Sequence, residues 1–264
     1  MTVAPVSVRA SIDRAWLERA AHDDPLPHAY ALWDLDRFPD RVRFFSAVRG
    51  EATTGYLLVW PGRLAVLVHW FGAVGEAHEL ARELPPRPLV VVAPEEVRAA
   101  VEEARGPGRV HGVLTLVAPP GAGGEHAHAA GPVRRLHGAD RPALLGLTEA
   151  SSELVASGYP SVDLDREAVW GAFDGARLAG VARTTVTLPD IWVLSGVFVD
   201  PARRGAGFGR SLVDAVLAEA ARARVPVGLY VREDRPAARA LYDRAGFRPH
   251  GRRLWIDAGA GLEP

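Results

Sequence analysis

A chain of 264 residues with 31 basic and 32 acidic side chains carries a net charge of −1, which gives no electrostatic case for a nucleic-acid or anionic-membrane partner. It has no cysteine, so disulfides, thiolate nucleophiles and Cys-based zinc sites are excluded. The apolar share of 48% and charged share of 24% are those of a soluble globular protein, and the length suits two domains better than one.

Every basic residue is Arg, and Lys, Asn and Gln are absent, a bias best read as genomic base composition. The N-terminus shows no basic region followed by an apolar stretch, so no signal peptide is expected. The longest apolar segment, Leu64 to Gly75, is interrupted by His69 and is too short to span a bilayer. The expected location is the cytoplasm.

In chain order, Asp13 to Ala21 predicts a helix. Val42 to Val48, Thr54 to Trp60 and Arg63 to Phe71 predict strands, with "PGR" turning the second into the third. Gly75 to Glu83 reads as helix, Pro88 to Val92 as strand, Pro94 to Ala104 as helix and Val110 to Val117 as strand. "APPGAGGEHAHAAGP", Ala118 to Pro132, has no period and no face to bury, so it reads as a linker. His126 and His128 within it lack a third ligand and read as solvated; no metal is expected.

After the linker, Val133 to Leu136 predicts a strand, followed by a helix capped by Asp140 with Pro142 in its first turn. Glu167 to Phe173 and Arg177 to Val186 form a hairpin about Asp174–Gly175. "IWVLSGVFVD", Ile191 to Asp200, is a nearly continuous apolar strand. Leu212, Val213, Val216, Leu217 and Ala220 then share a helical face. Val225 to Val231 is a buried-type strand, Arg235 to Ala245 a short helix closed by Gly246, and Phe247 onward a strand ending near Trp255–Ile256. This order describes an α/β fold, a mixed sheet with helices on its faces. The first half repeats a similar layout more loosely.

Between the long strand and its helix lies "PARRGAGFGRSL", Pro201 to Leu212. Gly205, Gly207 and Gly209 alternate there, flanked by Arg203, Arg204 and Arg210. A helix starting near Gly207 leaves its first N–H groups without partners, and with the helix dipole they form an anion site. Glycine lets the anion approach the backbone, and Arg204 and Arg210 can add charge. The expected guest is a phosphate or pyrophosphate. The P-loop is excluded because it needs a Lys. The dinucleotide fingerprint fails because Arg210 stands where its third glycine belongs. The plainer alternative is a tight strand-to-helix turn and nothing more.

Arg204-x-x-Gly207-x-Gly209 after "VFVDP" resembles the acyl-CoA pyrophosphate signature of the GNAT N-acyltransferases. "RPAARALYDRAGF", Arg235 to Phe247, resembles that family's closing helix through Ala238, Leu241, Tyr242, Gly246 and Phe247. The resemblance covers Val133 to Ile256 and implies a GNAT fold for the C-terminal half. The rest looks like the first half of tandem members, with residues 1–117 a degenerate GNAT-like domain, 118–132 a linker and 133–264 the catalytic domain.

The resemblance further implies acetyl-CoA as acyl donor and no metal. The backbone of Arg204, Gly205, Ala206, Gly207, Phe208, Gly209 and Arg210 would bind the pyrophosphate. The strand Val197–Phe198–Val199 would hold the pantetheine arm, with Val197 N–H polarising the thioester carbonyl. Tyr242 would protonate the departing thiolate.

Two positions depart from the family pattern. Arg235 replaces the usual Asn and either reaches a CoA phosphate or is solvated. Val193 is apolar where some members carry a glutamate base, which leaves His250, Glu233, Asp190 or a water relay from Ser195 as candidate bases.

The implied function is N-acyl transfer from acetyl-CoA to a small-molecule or peptide amine by direct attack. A non-catalytic acyl-CoA-binding protein is the alternative, and a homodimer is compatible with either. In the first half, the counterpart of the phosphate turn is "FGAVGEA", Phe71 to Ala77, where Glu76 would repel an anion. One CoA per chain is therefore expected.

Overall fold

The computed structural model describes residues 6–62, 65–86, 88–123, 131–149, 151, 154 and 158–259. The chain folds into two compact units. The first comprises Met1–Leu114, Arg232–Asp234 and Gly251–Pro264, and the second Thr115–Val231 and Arg235–His250.

The first unit contains β1 (Val6–Arg9), α1 (Arg14–Asp23), α2 (Pro25–Arg37), β2 (Arg43–Arg49), β3 (Ala52–Pro61), β4 (Val66–Gly72), α3 (Ala77–Ala81), β5 (Leu89–Ala93) and α4 (Arg98–Arg105). It also holds the start of β6 (Arg109–Ala118) and the end of β12 (Arg248–Ala258). Its sheet runs β1-β2-β3-β4-β5-β12. Pairing is antiparallel except between β4 and β5, where Val66–His69 run parallel to Leu89–Val92. The Asp13 side chain starts α1 by accepting from Trp16 N–H at 3.1 Å. The sequence reading assigned no helix to α2. Its Pro25 sits in the first turn, where a missing N–H costs nothing.

Leu57, Val68, Trp70, Leu80, Val91, Val101 and Ile256 form one core of this unit, and Leu17, Phe44, Tyr56 and Leu58 another. His28 is buried in the aromatic part, its Nδ1 3.0 Å from the Tyr56 hydroxyl. Burial lowers its pKa to about 4, so it is a neutral core imidazole at working pH.

The second unit contains β7 (Val133–Arg135), α5 (Arg141–Glu149), β8 (Ala168–Asp174), β9 (Arg177–Thr187), β10 (Trp192–Val199), α6 (Phe208–Ala223), β11 (Val227–Arg232) up to Val231, α7 (Pro236–Arg244) and the start of β12. The order is β7-β8-β9-β10-β11. Again the pairing is antiparallel except for the last step, β10 with β11. Each unit thus makes three antiparallel steps followed by one parallel step, the repeat of layout expected from sequence.

Further local differences separate sequence reading and structure. The helix expected over Gly75 to Glu83 is a 3₁₀ turn, Val74–Glu76, followed by the short α3. A 3₁₀ turn, Gly138–Asp140, leads into α5; its N-cap is His137, and the Asp140 carboxylate, one residue before α5, reaches back to accept from His137 N–H at 3.0 Å while holding Arg134 at 2.7 Å. Of the expected linker, Ala118 still belongs to β6, and residues 124–130, with His126 and His128, lie outside the described residues. Among the described residues no helix is long and apolar enough to cross a membrane, and no group of three or more metal-ligating side chains occurs.

Candidate active site

The parallel pair β10–β11 is the frame of the site. Its register runs Trp192↔Val227, Val193↔Gly228 and Leu194↔Leu229, where it ends. Against β9, the register jumps from Ser195↔Arg183 to Phe198↔Val181, so Gly196 and Val197 together face Ala182. This is a bulge of one extra residue. Gly196 has φ +56°, and a Cβ there would lie 2.8 Å from the Tyr159 ring, so only glycine fits. The backbone between Ser195 and Phe198 is therefore irregular on the β9 side and unpaired on the β11 side, next to the point where the parallel strands stop pairing.

At the end of β10, the Asp200 side chain accepts from Ala202 N–H at 3.0 Å and opens a 3₁₀ turn, Pro201–Arg203. Gly205 (φ +83°) and Gly207 (φ +94°) reverse the chain into α6. Gly207 is its N-cap, and the first helical bond runs from Ser211 N–H to the Gly207 carbonyl at 3.0 Å. The N–H groups of Phe208, Gly209 and Arg210 precede that bond and stand at the positive end of a 16-residue helix. Residues Arg204 to Gly207 are exposed, while Phe208 is buried and pins the first turn to the core. The expected anion turn is present in shape.

The three arginines of the run have separate roles. Arg203 binds Asp174 at 2.9 Å and Asp200 at 3.2 Å. Arg210 is engaged within the domain. Its Nε lies 2.7 Å from Asp214, and its Nη1 donates to the Arg244 carbonyl at 2.9 Å, tying the C-terminus of α7 to α6. Among the described residues Arg204 has no carboxylate partner. Its Nε donates to the Val199 carbonyl at 3.2 Å and its guanidinium lies 5.9 Å from the Phe198 ring centre. Arg204 is thus the cation of the three that no carboxylate neutralises. Arg235 is exposed at the N-cap of α7.

Tyr242, on α7, is buried, with its ring edge-on to Phe247 at 5.6 Å. Burial pushes its phenol above the usual tyrosine range. It is near enough to Tyr159 to help disfavour ionisation of the Tyr159 phenol. The Tyr159 hydroxyl in turn donates to the Gly196 carbonyl at 2.6 Å. Tyr242 and the bulge are therefore linked through Tyr159, a residue that sequence reading did not single out.

The candidate bases do not assemble. Asp190 and His250 are exposed. Glu233 belongs to the first unit, where Arg252 holds it at 2.8 Å. The Ser195 Oγ is buried and, among the described residues, makes no hydrogen bond.

In the first unit the corresponding turn is closed. Glu76 is buried and paired with Arg49, so the chain itself places a carboxylate in this turn. Past the last β4–β5 pair, His69↔Val92, the Trp70 carbonyl accepts from Arg253 Nη1 at 2.9 Å. The edge that β10 leaves open after Leu194 is thus taken up at this point of β4 by a side chain.

Comparison with known proteins agrees with this geometry. A family model described as "Acetyltransferase (GNAT) family" matches residues 143–247. A mycothiol acetyltransferase of Geodermatophilus obscurus is 40% identical over 89 residues, 30% of this chain and 28% of that protein. One of Clavibacter sepedonicus is 51% identical over 58 residues, 22% of this chain and 18% of that protein. The chain thus spans less than a third of the length of these curated relatives. Among solved structures, a GCN5-related N-acetyltransferase from Sphaerobacter thermophilus superposes with TM-score 0.61 at 17% identity, covering 99% of both chains. A tandem GNAT protein from the clavulanic acid biosynthesis pathway gives 0.61 at 17%, covering 98% of this chain and 100% of that one. The fold is that of GNAT proteins over nearly the whole chain, and residues 143–247 are a domain of the GNAT acetyltransferase family.

Proposed function

We propose that the chain is an acyl-CoA N-acyltransferase that moves an acetyl group from acetyl-CoA to an amine by direct attack in a ternary complex. The observation that carries this reading is the succession of a parallel pair that stops at Leu194, a bulge at Gly196–Val197 and a glycine turn opening a long helix. Backbone N–H groups between Arg204 and Arg210 take the pyrophosphate, with charge from Arg204 and, at the head of α7, Arg235. The backbone of Val197 to Val199, unpaired on its β11 side, holds the pantetheine arm, and Val197 N–H stabilises the oxyanion. As the N–C bond forms and the C–S bond breaks, Tyr242 gives its proton to the sulfur and is reprotonated from solvent.

An amine acceptor has a pKa of about 10 and must lose a proton before attack. With Asp190 and His250 exposed and Glu233 held by Arg252, we assign that proton to a water relay starting at Ser195. The short matches to mycothiol acetyltransferases make the acceptor of those enzymes the first amine to test. A second reading, a non-catalytic CoA-binding protein, is favoured by the fully buried Val193 at the position where some family members carry a glutamate. Turnover of acetyl-CoA over an amine panel separates the two. Tight acetyl-CoA binding without transfer to any amine would establish the second.

The closed turn in the first unit sets the stoichiometry. Calorimetric titration of the full chain with acetyl-CoA should give one site per chain, because the Glu76–Arg49 pair and the Arg253 contact occupy the first unit's counterparts. Two equivalent sites would refute this account of the first unit.

A further inference from the structure

We infer that Tyr159 is a positioning residue for acyl transfer: its hydroxyl holds the Gly196–Val197 peptide so that Val197 N–H faces, and is strengthened toward, the thioester carbonyl. This inference rests on the reading of Val197 given above.

The bulge creates the need for such a support. Gly196 and Val197 share a single residue of β9, Ala182, outside the regular register, and the pairing with β11 ends at Leu194. Neither ladder fixes the plane of the peptide between them, and its first residue is a glycine in the left-handed region, the most permissive residue available. Yet an oxyanion donor must be aimed before the reaction, since its value lies in costing no reorganisation in the transition state.

Tyr159 supplies the support. It opens a 3₁₀ turn, Tyr159–Ser161, and is fully buried. The Arg183 guanidinium lies 5.3 Å from its ring centre, and the same ring sits where a Gly196 Cβ would fall. A carbonyl can only accept, so the 2.6 Å contact to Gly196 O is a bond donated by the phenol. Burial raises the Tyr159 pKa above the ordinary range, so the donor keeps its proton throughout the working range.

The consequence follows from peptide geometry. None of the peptide bonds described is cis, and in a trans peptide the C=O and the next N–H point in opposite directions within one rigid plane. Pinning the Gly196 carbonyl therefore pins the Val197 N–H, directed away from Tyr159. A bond accepted at the carbonyl also polarises the amide and makes its N–H a better donor.

Tyr159→Phe keeps the ring and its packing and removes the bond. Acetyl-CoA labelled with ¹³C at the acetyl carbonyl reports the result by difference infrared spectroscopy. In the wild type, the carbonyl stretch of the bound donor should lie below its value in solution. In the variant, that downshift should shrink and kcat should fall about tenfold, less than the loss of a whole oxyanion donor, with acetyl-CoA affinity within about twofold. A bond that serves only the stability of the fold would, when lost, lower the melting temperature and leave the downshift and kcat in place. A variant with full downshift and wild-type kcat overturns the role of Tyr159 and leaves Val197 standing. A wild type with no downshift overturns the Val197 reading and this inference with it.

Discussion

Gly207→Asp should abolish acetyl-CoA binding. In the wild type, saturating donor at about a hundred times Kd stabilises the folded state by about 2.7 kcal/mol, roughly 5–10 °C in melting temperature for a chain of this size. The substitution acts on the anion site in two ways. It places a carboxylate at the mouth of α6, among the N–H groups of Phe208 to Arg210, where like charge opposes phosphate. It also forces a Cβ onto a residue at φ +94°, which strains the turn by about 1–3 kcal/mol. The strain alone should lower the melting temperature of the unliganded protein by several degrees. Gly207→Ala carries that strain without the charge, so it should retain a smaller donor-induced shift. Thermal melts of the three proteins with and without acetyl-CoA make the comparison. A folded Gly207→Asp protein that binds acetyl-CoA as tightly as the wild type would remove the pyrophosphate assignment.

For Tyr242→Phe the expectation is a fall in kcat of about 10²-fold or more, the usual worth of a general acid, with acetyl-CoA affinity nearly unchanged. Among the described residues the Tyr242 hydroxyl makes no hydrogen bond, so losing it should cost little stability. The pH profile gives an independent check. Burial raises the Tyr242 pKa, so its phenol stays protonated as the pH climbs. The wild-type rate should therefore rise with pH as the acceptor amine loses its proton, with no decline from tyrosine ionisation below about pH 10. Turnover within a few-fold of wild type in the variant would assign the proton to water and leave Tyr242 as a packing residue against Phe247.

The parts legible in the sequence are those set by local chemistry. Alternating glycines after an apolar run announce a strand, a turn and a helix start, because few other residues adopt the backbone of Gly205 and Gly207. The hairpin about Asp174–Gly175 and the helix closed by Gly246 follow from the same residue type. What escaped depends on contacts between residues distant in sequence. Tyr159 gains its meaning only when its turn meets Gly196, 37 residues on. The clue available was Gly196 itself, a lone glycine inside an apolar strand, which marks a bulge or a close approach. Arg210 looked like a cation for the ligand because its sequence neighbours are glycines. In the fold its neighbours are Asp214 and the end of α7, which engage its Nε and Nη1. Glu233 looked like a base near the closing helix, but its N–H bonds the Gly112 carbonyl and Arg252 takes its carboxylate.

The route of β12 bears on how the protein is made. Leu254 to Ala258 pair with the whole of β5, from Ala93 back to Leu89. During synthesis, β5 leaves the ribosome more than a hundred residues before the strand that covers it. Until then an apolar strand, Leu-Val-Val-Val-Ala, has a bare edge on that side, the kind of surface that recruits other chains. The first unit therefore cannot finish folding ahead of the second, as a typical N-terminal domain does, and the two must mature together. The nascent chain is most prone to aggregation after the first unit's helices have been made and before residue 254 has emerged. A chaperone that holds exposed strand edges would act in that interval, and a chain stopped at His250 should remain in the vulnerable state, with those β5 amides that face β12 exchanging freely with solvent.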